Sequence, residues 1–237
     1  MVVNPPGANF EVNNMKKELT ILLTCYNKEK YISYILQQLI DQNCEALDIH
    51  IFDDASTDNS LNIIQELVGD INNFTIHHWD TNKGTGSTRN YALSLVKTKY
   101  FIFIDADDML TETYVQTILQ KIRQYPDVDI HHFRTRVYPL GGTVMFNFSL
   151  WDRVISKEFL DKNNITFNPK LTNMEDWNLR VQIEKVPYIE MEHQEIIYIY
   201  NILAENTITH DNPIWYNHNL EGIRPESQVD YCEEYNK

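Results

Sequence analysis

Three carboxylates, Asp105, Asp107 and Asp108, follow directly on the apolar run that opens the segment Tyr100 to Leu110, YFIFIDADDML. A run apolar on both faces reads as a strand buried within a parallel sheet. In an open α/β sheet, ligands collect outside the carboxyl ends of the strands, so these acids stand at the edge where chemistry is done. Asp105 and Asp107 point to one side if the strand continues, and paired hard oxygen donors suit Mg²⁺ or Mn²⁺. A solvated acidic turn is the plain alternative, and the pair by itself does not choose between them.

Other strand ends add to the inventory at the same edge: Thr24 and Tyr26, Asp53 and Asp54, and Arg89 just beyond a glycine-containing turn. A tyrosine ring stacks on a nucleobase, and a carboxylate accepts a hydrogen bond from a base N–H. Arginine pairs with phosphate oxygens in a forked geometry, and a carboxylate-held dication neutralises a diphosphate. The set is that of a nucleotide-diphosphate site, although neither GxGxxG nor GxxxxGK occurs.

The elements that must position these groups alternate along the chain. Glu18 to Cys25 reads as a strand, and Lys30 to Gln42 has helical apolar spacing. Asp48 to Asp54 is a strand ending in two acids, and Ser56 or Asp58 is placed to cap the helix after it. Phe74 to His78 is a third strand, Asn82 to Gly86 a turn and Ser87 to Lys97 a helix leading to the central strand. This alternation predicts a doubly wound, mostly parallel sheet with helices on both faces. Further on, the pattern predicts a helix over 112–125, a strand over 129–138, and a hairpin at Gly141-Gly142 into 144–148. Helices over 151–163 and 176–185 and a strand over 195–201 complete the reading, with the tail past Asp211 unassigned.

Length and composition bound the class of chain. The chain has 237 residues, 43% of them hydrophobic, which suffices for one α/β domain with a large core. A net charge of −14 argues against coating nucleic acid or anionic lipid. Cys25, Cys44 and Cys232 form neither CxxC nor an even set, so a reducing cytoplasm is expected. No apolar run is long enough for a bilayer, and Met1 to Lys17 reads as a loose polar arm rather than a signal.

TCYNKEKYI, IFDDASTDNS, NKGTGSTRNYAL and FIFIDADD, in that order and spacing, resemble the inverting family-two glycosyltransferases of the GT-A fold, especially the bacterial cell-surface polysaccharide type. WDRVISKEFLDKNNITFNPKLTNMEDWNL looks like that family's acceptor-side segment with its ED motif, and ENTITH stands where a C-terminal lid segment is carried. The likeness spans about Leu19 to His210. It implies a donor half over 18–110, an acceptor half over 111–210 and a tail over 211–237.

The resemblance implies roles. Thr24 and Tyr26 frame a uracil, Asp54 binds its imide (Asp53 if the strand ends one residue sooner), and Arg89 steadies the nucleotide or its diphosphate. Asp105 and Asp107 form the DxD pair: the first touches ribose and metal waters, the second ligates Mn²⁺ or Mg²⁺, and Asp108 is a candidate to share that role. Asp176 matches the general base, with Glu175 nearer the acceptor or transferred sugar. The expected partners are a nucleotide sugar, with a UDP-sugar as the expected donor, and a glycan or cell-surface polymer. Ala55 departs from the glycine usual in DDGSTD.

Asp176 also has a reading of its own. Inverting transfer needs one carboxylate within reach of the attacking hydroxyl, and partial burial between Met174 and Trp177 would lift its pKa. The plain alternative is that Glu175 and Asp176 are first-turn acids favoured by the helix dipole. His210 is a possible third metal ligand or a surface histidine. Trp177 and Trp151 can stack on sugar faces or simply fill space. His77-His78 and His131-His132 read as structural pairs. Rival functions are a haloacid-dehalogenase-like phosphatase, a nucleotidyltransferase and a glycan- or nucleotide-sugar-binding module without turnover. Met109 stands where the phosphatase motif needs Thr or Val, and the nucleotidyltransferase would bring a Gly- and Lys-rich loop that is absent.

Overall fold

A computed structural model describes residues 17–147 and 149–205. Its first half follows the alternation in the sequence: β1 Leu19–Cys25, α1 Ile32–Asp41, β2 Leu47–Asp53, α2 Ser60–Val68, β3 Phe74–His78, α3 Thr85–Leu95 and β4 Tyr100–Asp105. The second half comprises β5 Met109–Leu110, α4 Tyr114–Gln124, β6 Ile130–Tyr138, β7 Thr143–Val144, β8 Arg153–Ser156, α5 Lys157–Lys162, α6 Glu175–Ile183 and β9 Glu190–Asn201. Among the described residues these strands form one nine-stranded sheet in the order β3-β2-β1-β4-β8-β6-β9-β5, with β7 paired to β6.

The block β3-β2-β1-β4 is parallel throughout. Its inner strands β1 and β4 are buried on both faces, which explains their nearly continuous apolar runs, whereas the edge strand β3 is buried only at Phe74. Side chains alternate between two cores, as the period of a strand demands. Ile102 and Ile104 pack with α1, α2 and α4, whereas Phe101 and Phe103 pack with α3, α5 and α6. Beyond β4 the sheet turns mixed: β8 is antiparallel to β4 and β6, while β6 and β9 run parallel. The two sequence halves thus share one sheet. No helix of the described residues is long and apolar enough to cross a membrane.

Several boundaries differ from expectation for physical reasons. The predicted helix over 151–163 splits into β8 and a short α5. Val154 and Ile155 are β-branched and wholly or almost wholly buried, and they close the gap between β4 and β6. Ser156 then caps α5 by accepting from the Phe159 N–H. The strand expected from Glu195 starts at Glu190, because Glu190 to Glu192 pair with Ile130 to His132 despite their polarity. The hairpin stands, with Gly141 at φ 77, but its second strand is only Thr143–Val144. Asn59 takes the N-cap position of α2 in place of Ser56 or Asp58. Trp151 is core, stacked 5.2 Å from Tyr200. The histidine pairs are structural as expected: His78 bonds Asp53, and His131 bonds His193.

Candidate active site

The parallel register brings the sequence-predicted groups to one edge: Thr24 lies opposite Asp105, and Cys25 opposite Asp53. The loops after β1 and β2 are stitched together there. Asn27 N–H donates to Ser56 Oγ at 2.9 Å, Thr57 N–H to Asn27 Oδ1 at 2.7 Å, and Lys28 N–H to Ser60 Oγ at 2.8 Å. Ala55 lies between them in the left-handed conformation at φ 63, a backbone that favours glycine. Asp53 is fully buried beneath the loop, bonded to Ser56 and His78. Asp54 is turned toward the next turn and accepts the Lys83 and Gly84 amides at 2.7 and 2.9 Å. Those bonds fix the start of α3 two residues ahead of the predicted one. Tyr26, 45% exposed, stands on the rim.

The acidic turn after β4 is clamped by the distant strand β9. Tyr198 Oη accepts the Asp105 N–H at 3.1 Å and donates to Asp108 Oδ2 at 2.8 Å. Asn201 N–H donates to Asp108 Oδ1 at 2.7 Å, and its side chain to the Asp107 carbonyl at 3.1 Å. Asp108 is therefore a buried brace of the turn. Burial, and then the charges of Asp107 and Asp105, hold its carboxyl well above the usual range. Asp107 is raised mainly by burial too, opposed by Lys28, whose ammonium lies 2.8 Å from Asp107 Oδ2.

Arg89 joins this turn to the second half of the chain. One guanidinium nitrogen reaches Asp105 Oδ1 at 3.0 Å and the other Glu175 Oε1 at 2.6 Å. Burial works against its charge, yet Glu175 and Asp105 prevail and hold its proton more tightly than usual. Both terminal nitrogens of Arg89 lie on carboxylates and its side chain is 5% exposed, so it ties the acidic turn to Glu175. Thr24 Oγ1 also donates to Asp105, at 3.2 Å.

Beside Glu175, Asp176 opens the first turn of α6 after Met174, which adopts the left-handed conformation at φ 57. Burial, then the Glu175 charge, pushes the Asp176 carboxyl up to about 6, with Arg89 opposing. Trp177 is 42% exposed next to it. The approach of this segment depends on Gly86, since a Cβ there would lie 2.5 Å from the carbonyl oxygens of Asn168 and Leu171. Ser87 adds a hydrogen bond to the Pro169 carbonyl at 2.9 Å. His210, most of ENTITH, residues 1–16 of the N-terminal arm and the C-terminal tail lie outside the described residues.

Sequence reasoning missed Lys28, Tyr198 and Asn201, all of which touch the acidic turn. A hydroxyl at Tyr198 inside an apolar strand was the available signal; nothing local marked its partner ninety residues away. The donor set fits a hard dication. Asp107 and Asp105 offer carboxylate oxygens at one turn, faced by the Lys28 ammonium and the Arg89 guanidinium, although no group of three or more metal-binding side chains is assembled among the described residues. Two carboxylates completed by water and phosphate suit Mg²⁺ or Mn²⁺.

Residues 20–186 match the family model Glycosyl transferase family 2. The teichoic acid poly(glycerol phosphate) polymerase of Staphylococcus epidermidis is 35% identical over 122 residues, which cover 50% of this chain and 17% of that protein. The processive diacylglycerol beta-glycosyltransferase of Mycoplasma genitalium is 27% identical over 192 residues, covering 66% of this chain and 56% of that one. The chain thus spans well under two thirds of these relatives. The fold is shared with S. aureus TarS in complex with UDP-GlcNAc (TM-score 0.72, 19% identity, 81% of this chain and 60% of that one). It is shared also with the Pyrobaculum calidifontis mannosyltransferase PcManGT in complex with GDP-Man and Mn2+ (TM-score 0.66, 14% identity, 86% and 62%).

Proposed function

The chain belongs to glycosyl transferase family 2, and from that premise we propose that it is a metal-dependent, inverting enzyme moving a sugar from a UDP-sugar to a hydroxyl of a cell-surface polymer. The observation that carries this reading is the Arg89 bridge. One buried guanidinium holds Asp105 of the acidic turn and Glu175 beside Asp176, so the donor-side acids and the candidate base belong to one site. Residues 18–110 serve the donor and 111–210 the acceptor.

Asp176 takes the proton of the acceptor hydroxyl as its oxygen bonds to the anomeric carbon. The bond from that carbon to the diphosphate breaks on the opposite face, and its electron pair leaves with UDP. A carboxyl near pKa 6 is ionised at neutral pH yet basic enough to compete for a proton in the transition state. Glu175, paired with Arg89, holds the start of α6 in place. Thr24 and Tyr26 frame the base, and Asp54 accepts from the imide through lone pairs that the Lys83 and Gly84 amides leave open. Trp177 offers its exposed face to a sugar of the acceptor. Asp107, with Asp105, would hold the dication, which when bound neutralises charge on the diphosphate. Polymer-directed relatives, the TarS complex with UDP-GlcNAc and the Mn2+ complex of PcManGT support the acceptor, donor and metal parts of the reading.

Calorimetry tests it. UDP is expected to bind at least about tenfold more tightly with Mn²⁺ than with excess chelator, a coupling of about 1.4 kcal/mol or more. Asp107→Asn is expected to remove most of that difference, and GDP in place of UDP to bind more weakly. Equal UDP affinity with and without metal would refute metal dependence, and preference for GDP would refute the donor assignment.

A further inference from the structure

Lys28 is the charged contact of the acidic turn to which the reaction above gives no part. Its ammonium lies 2.8 Å from Asp107 Oδ2 and 3.3 Å from the Glu205 carbonyl, and both it and Asp107 are only 12% exposed. Its backbone is held by Ser60 at 2.8 Å, and that of the next residue, Glu29, by Asp58 at 3.0 Å, so the loop delivers the ammonium to Asp107 by construction. We propose that Lys28 is a built-in cation that occupies the Asp107 oxygen until a dication and the nucleotide arrive together, and then transfers to the diphosphate. This rests on the metal-dependent reading given above.

The physical grounds are local. Three carboxylates crowd one turn, and a single ammonium faces the one that would ligate metal. A dication held by the Asp107 carboxylate and an ammonium against that carboxylate would repel, which favours departure of the ammonium. Arg89 cannot respond, because both of its terminal nitrogens are fixed on Asp105 and Glu175. Lysine carries its charge on a flexible four-carbon stem and can swing to a new anion. A diphosphate supplies that anion at the moment the metal takes Asp107. Metal alone therefore binds against a competitor, whereas metal with nucleotide does not. By thermodynamic reciprocity, each ligand then tightens the other by the same factor.

The test is a thermodynamic square. Mn²⁺ is titrated into the protein with and without saturating UDP, and free Mn²⁺ is followed by its electron paramagnetic resonance signal. The same is done for Lys28→Met, which keeps the stem, and Lys28→Arg, which keeps the charge, with melting curves to verify folding. Lys28→Met is expected to bind Mn²⁺ alone about tenfold more tightly and to lose about tenfold or more of the coupling, whereas Lys28→Arg keeps most of it. Lys28→Gln gives the same reading should the methionine variant not fold. Unchanged Mn²⁺ affinity or unchanged coupling in the uncharged variants would overturn the role of Lys28 while leaving metal dependence standing. Failure of the unsubstituted protein to bind Mn²⁺ even with UDP would overturn both.

Discussion

The acid limb of the pH–rate profile is where the geometry around Asp176 can be measured. Its carboxyl is pushed to about 6 by burial and then by Glu175, against the pull of Arg89. If Asp176 is the base, turnover follows its ionised fraction, so at pH 5 the rate is about one tenth of the plateau reached near pH 8. Glu175→Gln removes a raising charge and leaves the lowering charge of Arg89 without its closest partner. Both changes act downward, so the inflection moves toward the ordinary aspartate range by about one unit, or about 1.4 kcal/mol. The tenfold deficit at pH 5 then shrinks to about twofold of the variant's own plateau. Asp176→Asn loses about 10²–10⁴ in kcat, equivalent to about 2.7–5.5 kcal/mol.

Stability separates this from a structural acid. A carboxyl whose folded pKa lies above its usual 3.8 contributes stability in its protonated form, which is lost as the pH rises through about 6. Above pH 6, Asp176→Asn is thus expected to melt no lower than the parent. The assay is UDP release at saturating Mn²⁺ and donor from pH 4.5 to 8.5, with melting curves at each pH. An unmoved limb in Glu175→Gln, or an active but destabilised Asp176→Asn, would refute the reasoning.

Two further outcomes follow from the supporting frame. Ala55→Gly relieves a left-handed alanine at φ 63, worth about 1–2 kcal/mol, against about 0.4–1 kcal/mol of added unfolded-state freedom. A melting temperature higher by about 1–3 °C is expected, and a lower one would contradict the strain. Tyr198→Phe leaves the Asp105 N–H and Asp108 Oδ2 without their shared buried partner, which costs about 1–3 kcal/mol in urea unfolding. It is also expected to weaken Mn²⁺-dependent UDP binding, and a variant that loses neither would show that β9 does not brace the turn.

The first half of the fold was legible because its signals are local. Strands buried on both faces announce themselves as apolar runs, and each ends in the polar residues that a parallel sheet brings to its carboxyl edge. Asp54, Asp105 and Asp107 could therefore be placed at that edge from types and spacing, whereas Asp176, in the first turn of α6, was singled out by the family resemblance. Beyond β4, local pattern ceased to decide structure. Arg153 to Ser156 have apolar spacing compatible with a helix, and they became a strand because the open edges of β4 and β6 needed a partner. The polar start of β9 is paid for in backbone bonds to β6 that no side-chain pattern records.

The same division runs through the site. Residue type told what Arg89 is able to pair with, whereas only packing decided that Asp105 and Glu175 reach it from either side. Asp54 was visible as an acid after a strand, but its hold on the Lys83 and Gly84 amides required the turn that follows β3. The partners of Lys28, Tyr198 and Asn201 were unreadable, because these contacts cross 79, 90 and 93 residues of sequence, even though the Tyr198 hydroxyl itself stood out in its strand. Charge and hydrogen-bonding capacity are properties of a side chain, and the sequence supplies them outright. Which partner satisfies them depends on which chain segments the sheet brings together, and that is decided only when the apolar faces of distant strands are buried against one another.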